Sequence, residues 1–536
     1  MTNAIQDIPE ADVILVIGSN TTEAHPVLAL QMKKAVQSRG AKLILADPRR
    51  IELAGLAHLH MRQRPGTDVA LANTIAHIII AEGLHDAEFI ETRTEGYEEM
   101  AAAVSEWTPQ HGEQVTGVPA KDIIAAARLY ANAKSASIFW AMGITQHTTG
   151  TDNVKALVNL ALLTGNVGRP GTGLNPLRGQ NNVQGACDLG GLPNIFPGYQ
   201  PVTSEDVRRK FSAAWNVPYE NLDAQVGLTI TEIMDAVLDG EVHALYVMGE
   251  NPMISDPNLN HVRQALEKID FLVQQDIFLN ETTEFADVVL SAASFAEKWG
   301  TFTSTERRVQ MVRPALAAPG EARPDWKIIL DLAQRMGADW SYDSAEEIMQ
   351  EIAAVTPIYG GISHKRVEKL GGIQWPCPTP DHPGTPYLHK DKFSRGLGLF
   401  SPVEFKEAKE LPDADYPLIL STGRVLFHWH GGTMSRRSPG LDKLAPQAEV
   451  EINPKDADQL GVQDGQPVRV KSRRGEVVAN ALLTNRSPVG TIFMTFHYAE
   501  AAANLLTPSH IDPIAKIPEY KVSAVNVEPL DVLVTA

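Results

Sequence analysis

The side chain best placed to do chemistry is Arg178, the guanidinium within NPLRGQNNVQGACDLG. Glycine-rich backbone precedes it, and the amides of Asn181, Asn182 and Gln184 follow it. Glycine lets a backbone approach a flat or anionic ligand closely. Paired amide donors and acceptors suit the edges of a heterocycle. A buried arginine without a partner is costly, so Arg178 should face an anion. Its planar fork matches a carboxylate, with charge-assisted bonds worth about 1.5–3 kcal/mol each. The competing partner is a carboxylate of the protein itself, such as Asp188.

Other signals are weaker. The sequence has no GxxxxGK[ST], HExxH or CxxC. The pairs His58/His60 and His428/His430 have metal-binding spacing, but no cysteine or carboxylate cluster accompanies them, and a structural or surface role is the commoner fate of such pairs. Cys187 and Cys377 are isolated and read as buried, inert thiols. Arginine doublets occur at Arg49/Arg50, Arg307/Arg308, Arg436/Arg437 and Arg473/Arg474. Charge doublets usually form a solvated face. Those at strand ends beside glycine-rich turns, as in DPRR, are better candidates for pyrophosphate.

These residues need elements to position them. Val13–Ile17 is an unbroken β-branched and leucine run ending at Gly18, which predicts a central parallel strand buried on both faces. The helix-like VLALQMKKAVQSRG follows and is closed by Gly40. Then come strand KLILADP to Asp47, helix TDVALANTIAHIIIAEG, helix PAKDIIAAARLYANAK with Pro119 in its first turn, strand SIFWAMG to Gly143, and a helix over 152–164. Such alternation gives a doubly wound α/β sheet. A second unit of the same style carries strand ALYVMGENP, helix NLNHVRQALEKID and strand FLVQQDIF. VIGSN and VMGEN echo one another. In each a buried strand stops at a glycine with an asparagine two positions later, and that echo is either a chance likeness of strand–glycine turns or a duplicated nucleotide-binding half with ligand at the strands' carboxyl ends. Residues 324–337 and 344–354 read as helices, with Ser344 and Glu347 as a reciprocal capping pair. WPCPTPDHPGTPY reads as a linker or ordered loop. Beyond Gly398, short alternating strands predict an all-β terminal domain, a barrel.

The chain has 536 residues, so about 100–200 residues per domain implies three to five domains. Its 47 Lys+Arg against 65 Asp+Glu give a net charge of −18, which opposes nucleic acid and anionic membranes as partners. Two cysteines cannot make a disulfide framework or a four-cysteine cluster, which fits a reduced, cytoplasmic setting. No basic-then-apolar leader is present, and no apolar run approaches the ~20 residues that insertion across a membrane requires.

The segment GITQHTTGTDNVKALVNLALLTGNVGRPGTGLNPLRGQNNVQGACDLG resembles the catalytic (alpha) subunit of molybdopterin-dependent formate dehydrogenases, of the DMSO reductase family. The resemblance continues through YVMGENP, QDIFLNETTEFADVVL, GTFTSTERRVQ, STGRVLFHWHGGTMSRRS and IPEYKVSAVNVEPL, and so spans essentially the whole chain. Ser291, Trp299 and Ser304 depart from the family's pattern and put only local loop shape in question. The resemblance implies two Rossmann-like doubly wound regions followed by a C-terminal double-psi β-barrel. The expected domains are an α/β cofactor-binding domain at 1–180, a second such region at 181–345, a connecting segment at 346–398, and a dinucleotide-binding barrel at 399–536. It implies a molybdenum or tungsten atom held by two molybdopterin guanine dinucleotides. The gripping positions would be Gly18, Asn20, Asp47, Arg49, Gly143, Thr145 and Gln146. In the second region they would be Gly249, Asn251, Gln275 and Asp276, and in the barrel Thr422, Arg424, His428, Asn504, Tyr520 and Lys521. Arg178 would orient formate beside the metal, with Gln180 next to it.

In this family four cysteines for a [4Fe–4S] cluster, then a selenocysteine or cysteine ligating the metal and an adjacent histidine, precede the part that this sequence matches. The expectation is that the chain is the downstream part of a selenoprotein, begun from the next methionine after a recoded stop codon, and that alone it does not turn over; no residue present would ligate the metal. Its expected partners are formate, the missing N-terminal segment and an electron-transfer subunit (iron–sulfur, NAD-reducing or hydrogenase), in formate metabolism and anaerobic respiration. The alternatives are a non-catalytic molybdopterin-binding scaffold, and a family member acting on nitrate or an S-oxide. The carboxylate-reading arginine favours formate over the last of these.

Overall fold

The computed structural model describes residues 1–531. It forms two compact units, one of Met1–Gly179, Ile254–Val262 and Tyr387–Ala536, the other of Gln180–Met253 and Arg263–Pro386. The first α/β region and the C-terminal barrel share a unit, and the residues expected to form a second region (181–345), apart from Ile254–Val262, share theirs with the first part of the expected connector.

In the first unit a five-stranded parallel sheet runs in the order β3-β2-β1-β4-β5. Its strands are β1 (Val13–Ile17), β2 (Lys42–Ala46), β3 (Leu59–Met61), β4 (Ala136–Trp140) and β5 (Gly173–Pro176). Every residue of β1 and β4 is buried, as an unbroken apolar run in a parallel sheet requires. Helices α1 (Pro26–Arg39), α2 (Asp68–Ala81), α3 (Ala120–Ala131) and α4 (Gly150–Leu163) accompany the sheet. Gly40 takes the left-handed conformation (φ 77°) that ends α1. Pro119 stands just before α3 as its cap, not inside the first turn; its ring then excludes no helical hydrogen bond.

In the second unit a parallel sheet runs β8-β7-β6, from β6 (Ala244–Met248), β7 (Phe271–Asp276) and β8 (Val288–Ser291). Here the expected burial fails. β6 alternates exposed and half-buried residues, and Tyr246, Met248, Phe271 and Val288 are exposed. The register sets Val273 opposite both Tyr246 and Val288, so these exposed side chains share one sheet face. Helices Asp325–Arg335 and Ala345–Val355 follow. Capping at Ser344 runs one way: its hydroxyl accepts from the Glu347 N–H, while the Glu347 carboxylate accepts from Asp343 N–H. WPCPTPDHPGTPY is an ordered loop whose Cys377 lies in a small core with Val309, Met349 and Tyr359.

The barrel in the first unit closes in the order β9-β13-β10-β12-β11-β14, from β9 (Leu418–Gly423), β10 (Glu449–Ile452), β11 (Pro467–Lys471), β12 (Glu476–Leu483), β13 (Thr491–Thr495) and β14 (Ser523–Pro529). Alternation puts Leu420, Val450, Val468, Val470, Ile492, Met494 and Val525 wholly inside. Among the described residues no helix is long and apolar enough to cross a membrane.

Candidate active site

The carboxyl ends of β1 and β4 meet in one tight turn pair. Gly18 has φ 55°, and the Gly143 N–H donates to its carbonyl at 3.0 Å. A Cβ on Gly143 would lie 2.5 Å from that oxygen, and one on Gly18 2.8 Å from the Gly143 carbonyl carbon, so neither position accepts a side chain. Thr145 and Gln146 continue the turn from Gly143 as part of one short helix and its cap. Asn20, after the Gly18 turn, keeps a buried side-chain amide nitrogen with no partner. At the end of β2, Asp47 accepts from the Arg49 N–H at 2.9 Å. Burial pushes its pKa up to about 6 against the pull of Arg49.

Barrel loops of the same unit supply the remaining groups. The Thr422 hydroxyl donates to the Tyr520 carbonyl at 2.9 Å, and Lys521 Nζ donates to the Thr422 carbonyl at 2.6 Å. The Tyr520 hydroxyl donates to the Ser255 carbonyl at 2.8 Å. Asn504 donates to the carbonyls of Ile254 and Ser255 at 2.9 and 3.1 Å and keeps a buried, unpartnered Oδ1. Burial, then repulsion from Arg424, lowers the Lys521 pKa to about 7. Arg424 is itself lowered by burial. His497 is buried with neither ring nitrogen partnered, and burial brings its pKa down to about 3. Arg424 and Lys521 are desolvated cations in the unit that also holds the unpartnered buried amide atoms of Asn20 and Asn504, and both kinds of group gain from an anion with hydrogen-bonding edges. That chemistry fits a phosphate-bearing heterocyclic dinucleotide.

The backbone of Arg178 is pinned from two sides. Its carbonyl accepts from His25 Nε2 at 2.9 Å, and a Cβ on the next residue, Gly179, would lie 2.5 Å from Arg424 Nη1. The arginine itself is half-buried. Gln180 belongs to the other unit.

Several of the singled-out residues have partners within the protein. Arg49 turns to the barrel, bonding Glu451 through Nε and Nη2 at 3.2 and 2.7 Å beneath the Phe493 ring. His428 is engaged by Ser435 Oγ and the Ala445 carbonyl, while His58 is exposed and His60 reaches the Asp47 carbonyl. The other doublets pair within the protein: Arg307 with the carbonyls of Trp375, Thr385 and Pro386, Arg436 with Asp442 and Glu500, Arg474 with Glu410. Of the amides expected to read a heterocycle, Gln184 and Asn182 have partners within the protein, and Asn181 is exposed. Gln184 donates to Asp188 and Tyr199, and Asn182 accepts from the Thr303 N–H. Asp188 accepts from Gln184, Tyr199 and Tyr359 at 2.7–2.8 Å.

In the second unit Gly249 (φ 65°) donates to the Gln275 carbonyl at 2.9 Å, which gathers Gly249, Asn251, Gln275 and Asp276 at the carboxyl ends of β6 and β7. The echo of VIGSN and VMGEN is therefore also an echo of positive-φ turns. Here the side chains are satisfied locally: Asn251 by Glu281 and Thr282, Gln275 by Tyr246 and Asp325, Asp276 by Asn280. Residues missed from the sequence are His25, Gly179, His497 and the buried partners of the barrel loops. Gly179 beside Arg178, and His497 just after a strand, were the available signals.

The sequence matches the molybdopterin oxidoreductase family over residues 1–335 and the molydopterin dinucleotide binding domain over 418–524. The chain belongs to the molybdopterin oxidoreductase family. It is 50% identical over 532 residues to F420-dependent formate dehydrogenase 2 subunit alpha of Methanococcus maripaludis, covering 98% of this chain and 78% of that one. It is 41% identical over 535 residues to formate dehydrogenase H of Escherichia coli, covering 99% and 74%. Acetylene hydratase from Pelobacter acetylenicus has the same fold, with a TM-score of 0.78 at 21% identity, over 98% of this chain and 79% of that one. The anion-seeking cradle thus lies within a molybdopterin-binding oxidoreductase whose relatives include formate dehydrogenase alpha subunits.

Proposed function

We propose that this chain is the catalytic-subunit portion of a formate dehydrogenase, oxidising formate to carbon dioxide, a proton and two electrons at a molybdenum or tungsten bis(molybdopterin guanine dinucleotide) centre. The observation carrying this reading is Arg178, half-buried and pinned by His25 on one side while Gly179 abuts Arg424 on the other. When bound, the metal–pterin group supplies the two-electron redox chemistry. Arg178 binds the formate carboxylate bidentately, which fixes the direction of the C–H bond. Gln180 offers a second polar contact. Gly18, Asn20, Gly143, Thr145 and Gln146 cradle one nucleotide end, with Asp47, Thr422, Asn504, Tyr520 and Lys521 around it. Arg424 neutralises anionic charge, and His428 stiffens its barrel loop. Gly249, Asn251, Gln275 and Asp276 receive the second dinucleotide. Arg49 acts by tying the β2 turn to the barrel.

Electrons pass to a partner subunit in the cytoplasm, during formate metabolism or anaerobic respiration. The F420-dependent formate dehydrogenases among the relatives make coenzyme F420 one acceptor to test, beside iron–sulfur, NAD-reducing and hydrogenase partners. A second reading, a cofactor-holding scaffold without turnover of its own, draws on the cysteines: Cys187 and Cys377 are both buried, and among the described residues neither joins a group of candidate metal ligands. The experiment is formate-dependent dye reduction by the chain alone and with the family's upstream cysteine-bearing segment co-expressed, alongside metal and guanine-nucleotide analysis. Turnover that needs the segment and Arg178 supports the first reading. Bound metal and nucleotide with no turnover in either preparation leaves the scaffold. Neither cofactor nor turnover refutes both.

A further inference from the structure

Helix α4 begins without a side-chain cap of its own. Thr149, at the N-cap position, accepts no capping bond through its side chain, although the first N–H groups of a helix have no partner inside it. The partner comes from 361 residues away. Asp512, 1% exposed, takes the Thr151 N–H on Oδ2 at 2.9 Å and the Thr151 hydroxyl on Oδ1 at 2.8 Å. A carboxylate there also meets the positive end of the helix dipole. The same Oδ1 accepts from the N–H groups of Ile514 and Ala515 at 2.8 and 2.6 Å, so the carboxylate folds its own loop as well. That loop is closed by the Asp512 N–H on the Ile517 carbonyl and the Lys516 N–H on the Asp512 carbonyl, both at 2.9 Å. It runs on through Glu519, whose N–H donates to the His510 carbonyl at 3.0 Å, into Tyr520 and Lys521. On the helix side, Asn153 Nδ2 donates to the Ile144 carbonyl at 2.8 Å, and Gly150 leaves no room for a Cβ against the Thr145 carbonyl. The first turn of α4 is therefore seated directly on the turn at 143–146.

We propose that Asp512 is the positioning residue that fixes the loop bearing Tyr520 and Lys521 against the turn at 143–146, by capping α4 through Thr151 while it holds the backbone at 514–515. The donors converge on both of its oxygens. Among side chains of this length a carboxylate alone accepts on both atoms. An asparagine would turn its NH2 either to the Thr151 N–H or to the N–H groups of Ile514 and Ala515, so the helix or the loop loses its acceptor. Asp512 touches no reacting atom in this role; it acts through Thr151 and the 512–517 loop. That the two segments grip a dinucleotide rests on the function proposed above; their attachment to one another does not.

The test uses the full chain, read by amide exchange with mass spectrometry and by calorimetric titration with guanosine diphosphate as the probe. In D512N, exchange at 143–153 and at 512–521 should quicken together by about tenfold or more, while β1 and β13 of the same unit keep theirs. Quickening confined to one of the two segments, or to neither, overturns the proposal. T151A removes the hydroxyl contact from the helix side. It should quicken exchange at 512–517, whose sequence it leaves intact, and T151S, which keeps the hydroxyl, should restore it. Unchanged exchange at 512–517 in T151A overturns the coupling, and this arm decides should D512N fail to fold or loosen β1 as well. Guanosine diphosphate should bind D512N about tenfold or more weakly than the unsubstituted chain; equal binding overturns the positioning role. If the unsubstituted chain binds no guanosine diphosphate, the cofactor reading fails, and the exchange arms still decide whether Asp512 joins the two segments.

Discussion

Replacing Glu451 with alanine isolates what it costs to leave Arg49 charged and unpaired inside the first unit. The two side chains are 9% and 7% exposed and share two hydrogen bonds, at 3.2 and 2.7 Å. Ser487 adds a third bond to Glu451 at 3.1 Å, and Arg486 approaches it at 3.4 Å from a more open position. Removing one member of a buried ion pair typically costs about 3–5 kcal/mol, because the partner stays desolvated. Asp47 lies close enough to Arg49 to share its charge, so the lower end, about 3 kcal/mol, is expected for E451A. That is roughly a 150-fold shift in the unfolding equilibrium. Because the chain has two units, the transition is best followed by amide exchange in β1 and β13 through a urea series. The double change R49M/E451L, which removes both charges and keeps apolar bulk, should recover most of the loss. If E451A shifts stability by less than about 1 kcal/mol, Arg49 does not depend on the barrel, and its reading as a structural tie fails.

Three further outcomes are expected. R178A should lower kcat/KM for formate by about 10²–10⁴ in a preparation that turns over, from two charge-assisted bonds of about 1.5–3 kcal/mol each. R178K should recover little, since an ammonium lacks the fork; equal turnover by R178A would refute the role. Lys521 has a folded pKa near 7 against an ordinary 10.5, so the unfolded chain binds the extra proton and stability should rise from pH 7 to 10.5. Asp47, near 6 against 3.8, holds a proton that the unfolded chain releases, so stability should fall as pH rises from 3.8 to 6. Urea midpoints across pH should show both limbs; K521M should flatten the upper one and D47N the lower. D188N should destabilise the second unit by about 1–3 kcal/mol, because an amide donor would then face the hydroxyls of Tyr199 and Tyr359. Limited proteolysis near 180–200 should accelerate, and no change would place the strength of that network elsewhere.

Local pattern alone determined a good deal here. The apolar run Val13–Ile17 reads as a strand and is one, Gly40 closes its helix, and the alternation past residue 398 is that of a sheet with one covered face, here a closed barrel. The strand-end glycines were legible for the same reason, since a turn with φ near 60° leaves glycine as the easy choice. Arg178 stood out as one guanidinium among residues that permit close approach. Tertiary structure decided where the long polar side chains went. No sequence pattern told that Arg49 would find Glu451, a carboxylate 402 residues away, or that Gln184 would satisfy Asp188 and not a ligand. Hydrogen-bond partners of buried groups depend on which loops the fold brings within about 3 Å, and that distance is set by packing of whole elements. For the same reason the exposed face of β6–β8 was missed: apolar composition makes a strand, but only neighbouring elements make it buried.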